Sequence, residues 1–599
     1  MAAAAESFPD RLWQILQSRA ALKENNDDDA LCEKLATWNE ELEPILFSGG
    51  HSTSTDDTAT TTTTTAVEQA SHGLRRHLLL ILGGSTTEND ASNCSDWHHD
   101  DNDERLVTTT LNEWRAREDD SSSVNNNNKA ALLSEILRTS KNWLRWYLQI
   151  HLSSSFTSSN TANTNAMTTT ALTRWKSHDM LELYLLVLDD QATVAVVVPS
   201  SCSGGSSSSN DIQTARWVSQ LLFYATYDEN PVQGANAKLQ TAYAFMVHDL
   251  GLFQRLLRLL VRLQDTVADT ALALSLVRNV HNMLVTYAPA KRLVEETTVD
   301  PSQALTAADK QQQHEQPFTY RSVLLDLLET CNRKPLAESS FSENAVHNRN
   351  DDGHYQLQLQ QQQAELALEI LRTFYALRVG RDLVDPKPGD RLARCLLVLL
   401  SMHAAGSLLT AKEAAATALQ STDIALATCQ VLMDASPTFF NHMAQHGAVA
   451  SLLDFLDRQV SRVIEDALLD QDGAAAALPV LVVVYRSCQA SEVFCHVTRE
   501  RVFPTANERT FQLLVAAQET SGSSQKNMKP LDAPAGTLRY KLIRLLTWPQ
   551  SHVKRFVSEI LWTLSGSDPT EFTLRVGVGN ALPFLGAKGL AQLPSHVYS

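Results

Sequence analysis

The residues of this sequence that could do chemistry fall into a few short clusters. His314-Glu-Gln-Pro-Phe318 opens like a zinc-binding His-Glu-x-x-His helix, in which two histidines four apart hold the metal from one face. Phe318 stands where the second histidine belongs, and Pro317 would break the helix. The segment reads as a loop. Gly577-Val-Gly-Asn-Ala-Leu582 lacks the third glycine of a dinucleotide turn and follows no predicted strand. Gly586-Ala-Lys-Gly589 lacks both the spacing and the hydroxyl of a phosphate loop, so nucleotide binding is not expected. Cys94, His98 and His99 could coordinate a metal, but they sit among Asp96, Asp100 and Asp101 with Trp97 as the one large apolar residue. Such a stretch is expected to stay unstructured. No Gly-x-Ser-x-Gly elbow is present, and the carboxylates are too numerous for any pair to stand out. The expectation is a protein that is not an enzyme and needs no cofactor and no metal.

Recognition chemistry is better represented. From Ala535 to Ser599 the basic residues are Arg539, Lys541, Arg544, Lys554, Arg555, Arg575 and Lys588, against Glu559, Asp568 and Glu571. That block is net positive in a chain with 50 Lys and Arg, 68 Asp and Glu and a net charge of -18. A local basic face can draw in a carboxy-terminus or acidic side chains, whereas the acidic whole disfavours nucleic acid and anionic membrane. Lys541 and Arg544, three apart, share a helix face. Asn279 and Asn282 do so too, and an Asn amide offers a peptide backbone both donor and acceptor. The same residues could instead be a solvated face and polar fillers at a helix junction.

The elements that must carry these groups are helical. Apolar residues recur at i, i+3, i+4 and i+7, as in Phe253, Leu256, Leu257 and Leu260, or as Leu366, Ile370, Phe374 and Leu377. This spacing predicts helices over Asp211–Tyr227, Ala237–Asp265, Ala268–Tyr287, Phe318–Cys331, Ala364–Arg378, Arg391–Met402, Ala411–Met433, Ala448–Ala467, Ala474–Cys488, Leu538–Thr547 and Ser551–Leu564. A glycine (Gly251, Gly447 or Gly579) precedes three of the apolar runs, where a sharp turn would feed the inner helix of a repeat. The fold class expected is all-α, an armadillo/HEAT-like superhelix whose exposed concave surface binds a peptide or helix.

Low-complexity tracts at Thr53–Thr65, Glu88–Glu104, Asp119–Asn128, Ser153–Thr170 and Ser200–Asn210 are expected to be disordered loops. The Gln-rich stretch Gln356–Gln363 runs into an apolar-periodic segment and is expected to extend a helix. Residues 1–210 thus form a poorly recognised helical region with insertions, and 211–599 the repeat domain. The N-terminus carries Glu6 and Asp10 where a signal peptide needs basic residues, and the longest apolar run, Ala474–Tyr485, is far shorter than the ~20 residues that span a bilayer. Eight cysteines without a Cys-x-x-Cys pair fit a reducing compartment, so the protein is expected to be cytoplasmic and monomeric, without a transmembrane segment.

Residues 477–592 carry a specific likeness. Leu478-Pro-Val-Leu-Val-Val-Val-Tyr485, Arg499-Glu-Arg-Val-Phe-Pro504, Leu538-Arg-Tyr-Lys-Leu-Ile-Arg-Leu-Leu-Thr547, His552-Val-Lys-Arg-Phe-Val-Ser-Glu-Ile-Leu561 and the turn Gly577-Val-Gly-Asn580 follow one another in order. This succession resembles the synembryn family of G-protein α-subunit chaperones and exchange factors. Weaker likeness reaches back through Ala448–Leu456, Ala364–Leu377 and Ser275–Arg292. Departures are Val578 for an aromatic, His552 for Asp, and Pro583 inside the last helix. The resemblance implies a protein that grips the C-terminal helix of a GDP-bound or nucleotide-free α subunit, releasing GDP and sheltering the empty subunit. On that reading Asn279, Asn282, Arg539, Lys541, Arg544, Lys554, Arg555 and Asn580 are the candidate partner-binding residues. Family members carry a further tail, whereas this sequence stops at Ser599. Either the tail is missing or the sequence is short; the concave surface could chaperone without it, whereas full exchange activity is expected to depend on it. A generic armadillo scaffold for an unrelated peptide is the alternative; an import adaptor's repeated groove Trp and Asn are absent. An enzyme hidden in the first 210 residues is the second.

Overall fold

The computed structural model describes residues 33–40, 136–141, 180–188, 207–226, 237–264, 270–301, 316–332, 349–384, 390–404, 414–446, 448–466, 473–504, 536–549 and 551–590. The cluster at Cys94–Asp101, His314, Gly447 and the tracts before Ser200 lie outside these residues. By packing of the backbone the chain divides into two compact units, Met1–Leu324 and Leu325–Ser599. The sequence boundary at residue 210 falls inside a helix that starts at Ser207. The Ser-rich tract is therefore not wholly a loop: its last residues form that helix's first turn.

The first unit holds α1 (33–40), α2 (136–141), α3 (180–188), α4 (Ser207–Thr226), α5 (Ala237–Ala244), α6 (Leu252–Gln264), α7 (Thr270–Thr286) and α8 (Ala290–Glu296). Helix α7 packs along α4 and against α6. Leu272, Leu276, Val277 and Val280, spaced by a helical turn, are buried in this packing. The apolar stripe of α6 (Phe253, Leu256, Leu257, Leu260) is also buried, as its spacing requires. The single helix expected over Ala237–Asp265 is two. A π turn over Phe245–Asp249 and Gly251, at φ +62°, interrupt it. Glycine takes that left-handed backbone without the Cβ clash that penalises other residues. Phe318–Thr319 is not helical either: it forms β2, antiparallel to β1 (Thr298–Val299), with Val299 opposite Phe318.

Helix α9 (Tyr320–Asn332) carries the division between the units. The second unit continues with α10 (Arg349–Leu377), α11 (Arg391–Ala404), α12 (Ala414–Leu432), α13 (Pro437–Gln445), α14 (Ala448–Asp466), α15 (Gly473–Ala490), α16 (Glu492–Val502), α17 (Leu538–Leu545), α18 (Ser551–Leu564), α19 (Pro569–Val576) and α20 (Val578–Ala587). Each helix packs on those a few places along the chain: α10 on α12, α11 on α12 and α14, α14 on α15, and α15 on α18. The all-α expectation holds, and this helix-on-helix stacking is that of an armadillo/HEAT-like repeat. Gln356–Gln363 lies within α10, so the Gln-rich stretch does extend a helix. The chain leaves α10 through Arg378, a non-glycine at φ +56°, into a 3₁₀ turn over Val379–Asp382. There Gly380 lies so close to the Val431 carbonyl of α12 that no Cβ fits between them. Among the described residues no helix is long and apolar enough to cross a membrane.

A candidate partner-binding surface on α17 to α20

Four helices near the end of the second unit carry most of the candidate residues, and local chemistry fixes each one. Thr537 caps α17, its hydroxyl accepting from the Tyr540 N–H at 3.3 Å. Asp568 caps α19 by accepting from the Glu571 N–H at 2.7 Å, with Pro569 as the first helical residue. Gly577, at φ +85°, turns the chain into α20. Gly579 was the expected turn residue, but it lies within the helix. Trp562 of α18, Phe572 of α19 and Phe584 of α20 pack ring on ring at centroid distances of 5.3–5.9 Å. This aromatic trio sets the three helices against one another.

The basic residues divide by how far they are already engaged. Lys541 is half-buried, its Nζ 2.6 Å from Oδ1 of Asp457 on α14, so α17 is tied to the helix it packs on. Arg539 donates from Nη2 to the Arg575 carbonyl at 2.8 Å. Its guanidinium lies 5.3 Å from the Phe503 ring centre, and that of Arg575 lies 4.4 Å from the same centre. Arg575 is buried and donates to Glu571 at 3.0 Å. Burial first, and the neighbouring Arg575 charge second, push the Arg539 guanidinium below its ordinary pKa. Arg544 and Arg555 are exposed and rest over Tyr540 and Phe556, and Lys554 is half-buried. The expected basic face is thus partly internal. Arg544, Arg555 and Lys554 present charge outward, while Arg539 and Lys541 serve the packing. Asn580 also works internally, donating from Nδ2 to the Val576 carbonyl at 2.9 Å.

Asn279 and Asn282 belong to the first unit. Asn279 is 2% exposed and donates from Nδ2 to the Ser219 carbonyl and hydroxyl and to the Ser275 carbonyl, at 2.9–3.0 Å. It joins α7 to α4. Asn282 is also buried. The structure therefore does not place Asn279 on an open helix face; its amide stands inside a helix pair. Phe503, Arg575 and Asp457 complete the polar framework around α17 and were not among the candidates. Two signals were available: the run Arg499–Pro504, which supplies Phe503, and the basic block, which includes Arg575.

Among the described residues no group of three or more His, Cys, Asp or Glu could hold a metal. The arrangement offers exposed guanidinium and ammonium groups on a rigid helical frame, which is chemistry for reversible recognition.

Comparison with solved structures returns matches at low similarity. A structure from a study of a phosphorylation switch in the interaction between cadherin and β-catenin is 11% identical over 97% of this chain and 96% of its own, with a TM-score of 0.35. An engineered protein is 12% identical over 93% and 96%, TM-score 0.32, and SYS-1 is 11% identical over 92% and 99%, TM-score 0.25. Scores this low bear on nothing further. No curated protein matches the sequence. A family model does: residues 74–599 match that of the guanine nucleotide exchange factor synembryn, which is most of the chain and includes every candidate residue above. With that match added to the ordered run of sequence blocks on α15 to α20, this chain belongs to the synembryn family of guanine nucleotide exchange factors.

Proposed function

We propose that this protein binds the α subunit of a heterotrimeric G protein in its GDP-bound or nucleotide-free form, speeding GDP release and sheltering the empty subunit as a folding chaperone. The observation that carries the reading is the family match across residues 74–599. The mechanism is differential affinity. A binder that holds the conformer with an opened nucleotide pocket more tightly than the closed one shifts the population toward the open form, and GDP leaves without any bond being made or broken. A stacked helical frame suits this work, because it holds its exposed side chains in fixed relation while the partner changes shape. On this reading the protein is not an enzyme, uses no cofactor, and works in the cytoplasm as a monomer.

The deciding experiment follows fluorescent GDP release from a panel of purified α subunits with and without the full chain. Binding is measured in parallel for the GDP-bound, nucleotide-free and GTP-analogue-locked forms. The proposal expects faster release from at least one subunit and weakest binding to the locked form. Equal affinity for all three states, with unchanged release, refutes it and leaves a scaffold for another peptide.

A further inference from the structure

Helix α13 carries two histidines that the exchange reading does not use. The chain enters this helix through Ser436, whose hydroxyl accepts from the Phe439 N–H at 3.3 Å and donates to the Val384 carbonyl at 2.7 Å, with Pro437 as the first helical residue. Phe439, Phe440 and Met443 are buried, and the helix packs on α14, α15 and α16. One face is thereby fixed to the frame. Beside it lie His442, half-buried, and His446, exposed. The His446 N–H donates to the His442 carbonyl at 3.1 Å, closing the last turn, so the two side chains stand one above the other. Their ring centres are 4.2 Å apart and the ring planes are tilted by 55°.

This is the placing of a chelating pair. A zinc-binding helix holds its ion by two histidines four apart on one face; His314 lacks such a partner, and His442 has one in His446. Two nitrogens bound to one ion at about 2.0–2.1 Å and a tetrahedral angle stand about 3.3 Å apart. Rings whose centres are 4.2 Å apart reach that bite by turning about their own side-chain bonds. The helical turn between them is already closed, so an ion has little left to order. Burial first, and the neighbouring His446 charge second, hold His442 below its ordinary pKa, with the Asp390 charge pulling the other way. A neutral imidazole is the form that ligates, and it suits zinc, copper and nickel rather than magnesium or calcium, which take oxygen.

We propose that His442 and His446 form a two-imidazole site for a divalent transition ion, which staples the last turn of α13. Two protein ligands leave the remaining coordination positions to water, so the site is an open one rather than a closed structural cage. Any imidazole that carries a second proton gives it up on binding, and the ion therefore competes with acid. Once bound, it joins residues four apart across the end of a helix, where the last carbonyls have no partner within the helix, and it favours the folded turn by mass action.

The test uses the full chain, with zinc chloride, copper(II) sulfate and magnesium chloride as probes. Carbethoxylation of each histidine by diethyl pyrocarbonate is followed residue by residue by mass spectrometry. At ten times the dissociation constant a site is free about one-eleventh of the time, so zinc should slow His442 and His446 together by about tenfold. His496, exposed on α16, should keep its metal-free rate. Copper should protect the pair at lower concentration than zinc, and magnesium should not protect it. Between pH 7.5 and 5.5 the apparent zinc affinity should fall by up to about 100-fold, because an ordinary histidine is then about nine-tenths protonated and both must be neutral. In His446→Asn, with the fold checked by circular dichroism, His442 should lose its protection, and His446 should lose its own in His442→Asn. If either variant does not fold, the protection pattern of the unaltered chain still decides. Protection of one histidine without the other, equal protection by magnesium, or protection of His442 that survives His446→Asn overturns the inference.

Discussion

The tie between Lys541 and Asp457 yields the most exacting prediction, because it decides whether the strongest family block is a binding face or part of the frame. The contact is 2.6 Å long and its two side chains are 16% and 27% exposed. At that distance and an effective dielectric of about 20, attraction is on the order of 6 kcal/mol, and loss of hydration offsets most of it. Exposed pairs are worth up to about 1 kcal/mol, while removing one partner of a fully buried pair costs about 3–5. A pair this far buried falls between. Lys541→Met should destabilise the second unit by about 2 kcal/mol and Asp457→Asn by about the same, each leaving the other group without its counter-charge. The double variant should cost about 1–2 kcal/mol less than the sum, since it leaves neither charge stranded. For a unit of this size roughly 2 °C accompanies each kcal/mol, so each single variant should melt about 4 °C lower by circular dichroism. Additivity of the two single effects within about 0.5 kcal/mol would refute the reasoning. Lys541 would then be free to meet a partner.

Other predictions follow from single contacts. Arg544, exposed on the same helix, is the cleaner probe of the basic face. Arg544→Glu should weaken α-subunit binding several-fold at low salt and less at high salt, with the melting temperature unmoved, as titrations at two ionic strengths will show. Gly380→Ala must push the 3₁₀ turn after α10 away from α12, because its Cβ would collide with the Val431 carbonyl; a loss of about 3 kcal/mol in denaturant melts is expected. Gly579→Ala, inside α20 with nothing within 4 Å of the new Cβ, should instead stabilise that helix by about 0.5–1 kcal/mol. The Tyr320 hydroxyl, buried and donating to the Phe253 carbonyl at 2.6 Å, has its pKa raised by burial. Folding therefore favours the protonated phenol: its contribution is intact below pH 10 and falls away above it, whereas Tyr320→Phe should cost about 1–2 kcal/mol at neutral pH and flatten that alkaline decline.

The sequence made the helices legible wherever an apolar stripe repeats over several turns, as in α6, α14 and α18, because periodicity reports which face is buried. It was weaker where a short element rests on its caps. Helices α13, α16 and α19 are set by Ser436, Ser491 and Asp568 with Pro437 and Pro569, and such local signals are easily lost among apolar runs. The break in the long helix before Gly251 and the strand at Phe318 were hidden because apolar spacing continues across both. At the candidate site, charge was visible and its use was not. Nothing in the spacing of Lys541 discloses Asp457, 84 residues away in the chain, nor that Ser219 will take the amide of Asn279.

In the second unit each helix leans mainly on those a few places away in the chain, from α10 on α12 to α19 on α20. Such an array contains its own damage: a fault propagates through nearest-neighbour interfaces and fades along the stack rather than felling it at once. A lesion at Gly380 should open α10 to α12 to hydrogen exchange while α17 to α20 stay protected. The aromatic trio of Trp562, Phe572 and Phe584 would then report a folded end beside a frayed one. That is error tolerance built from contact range alone.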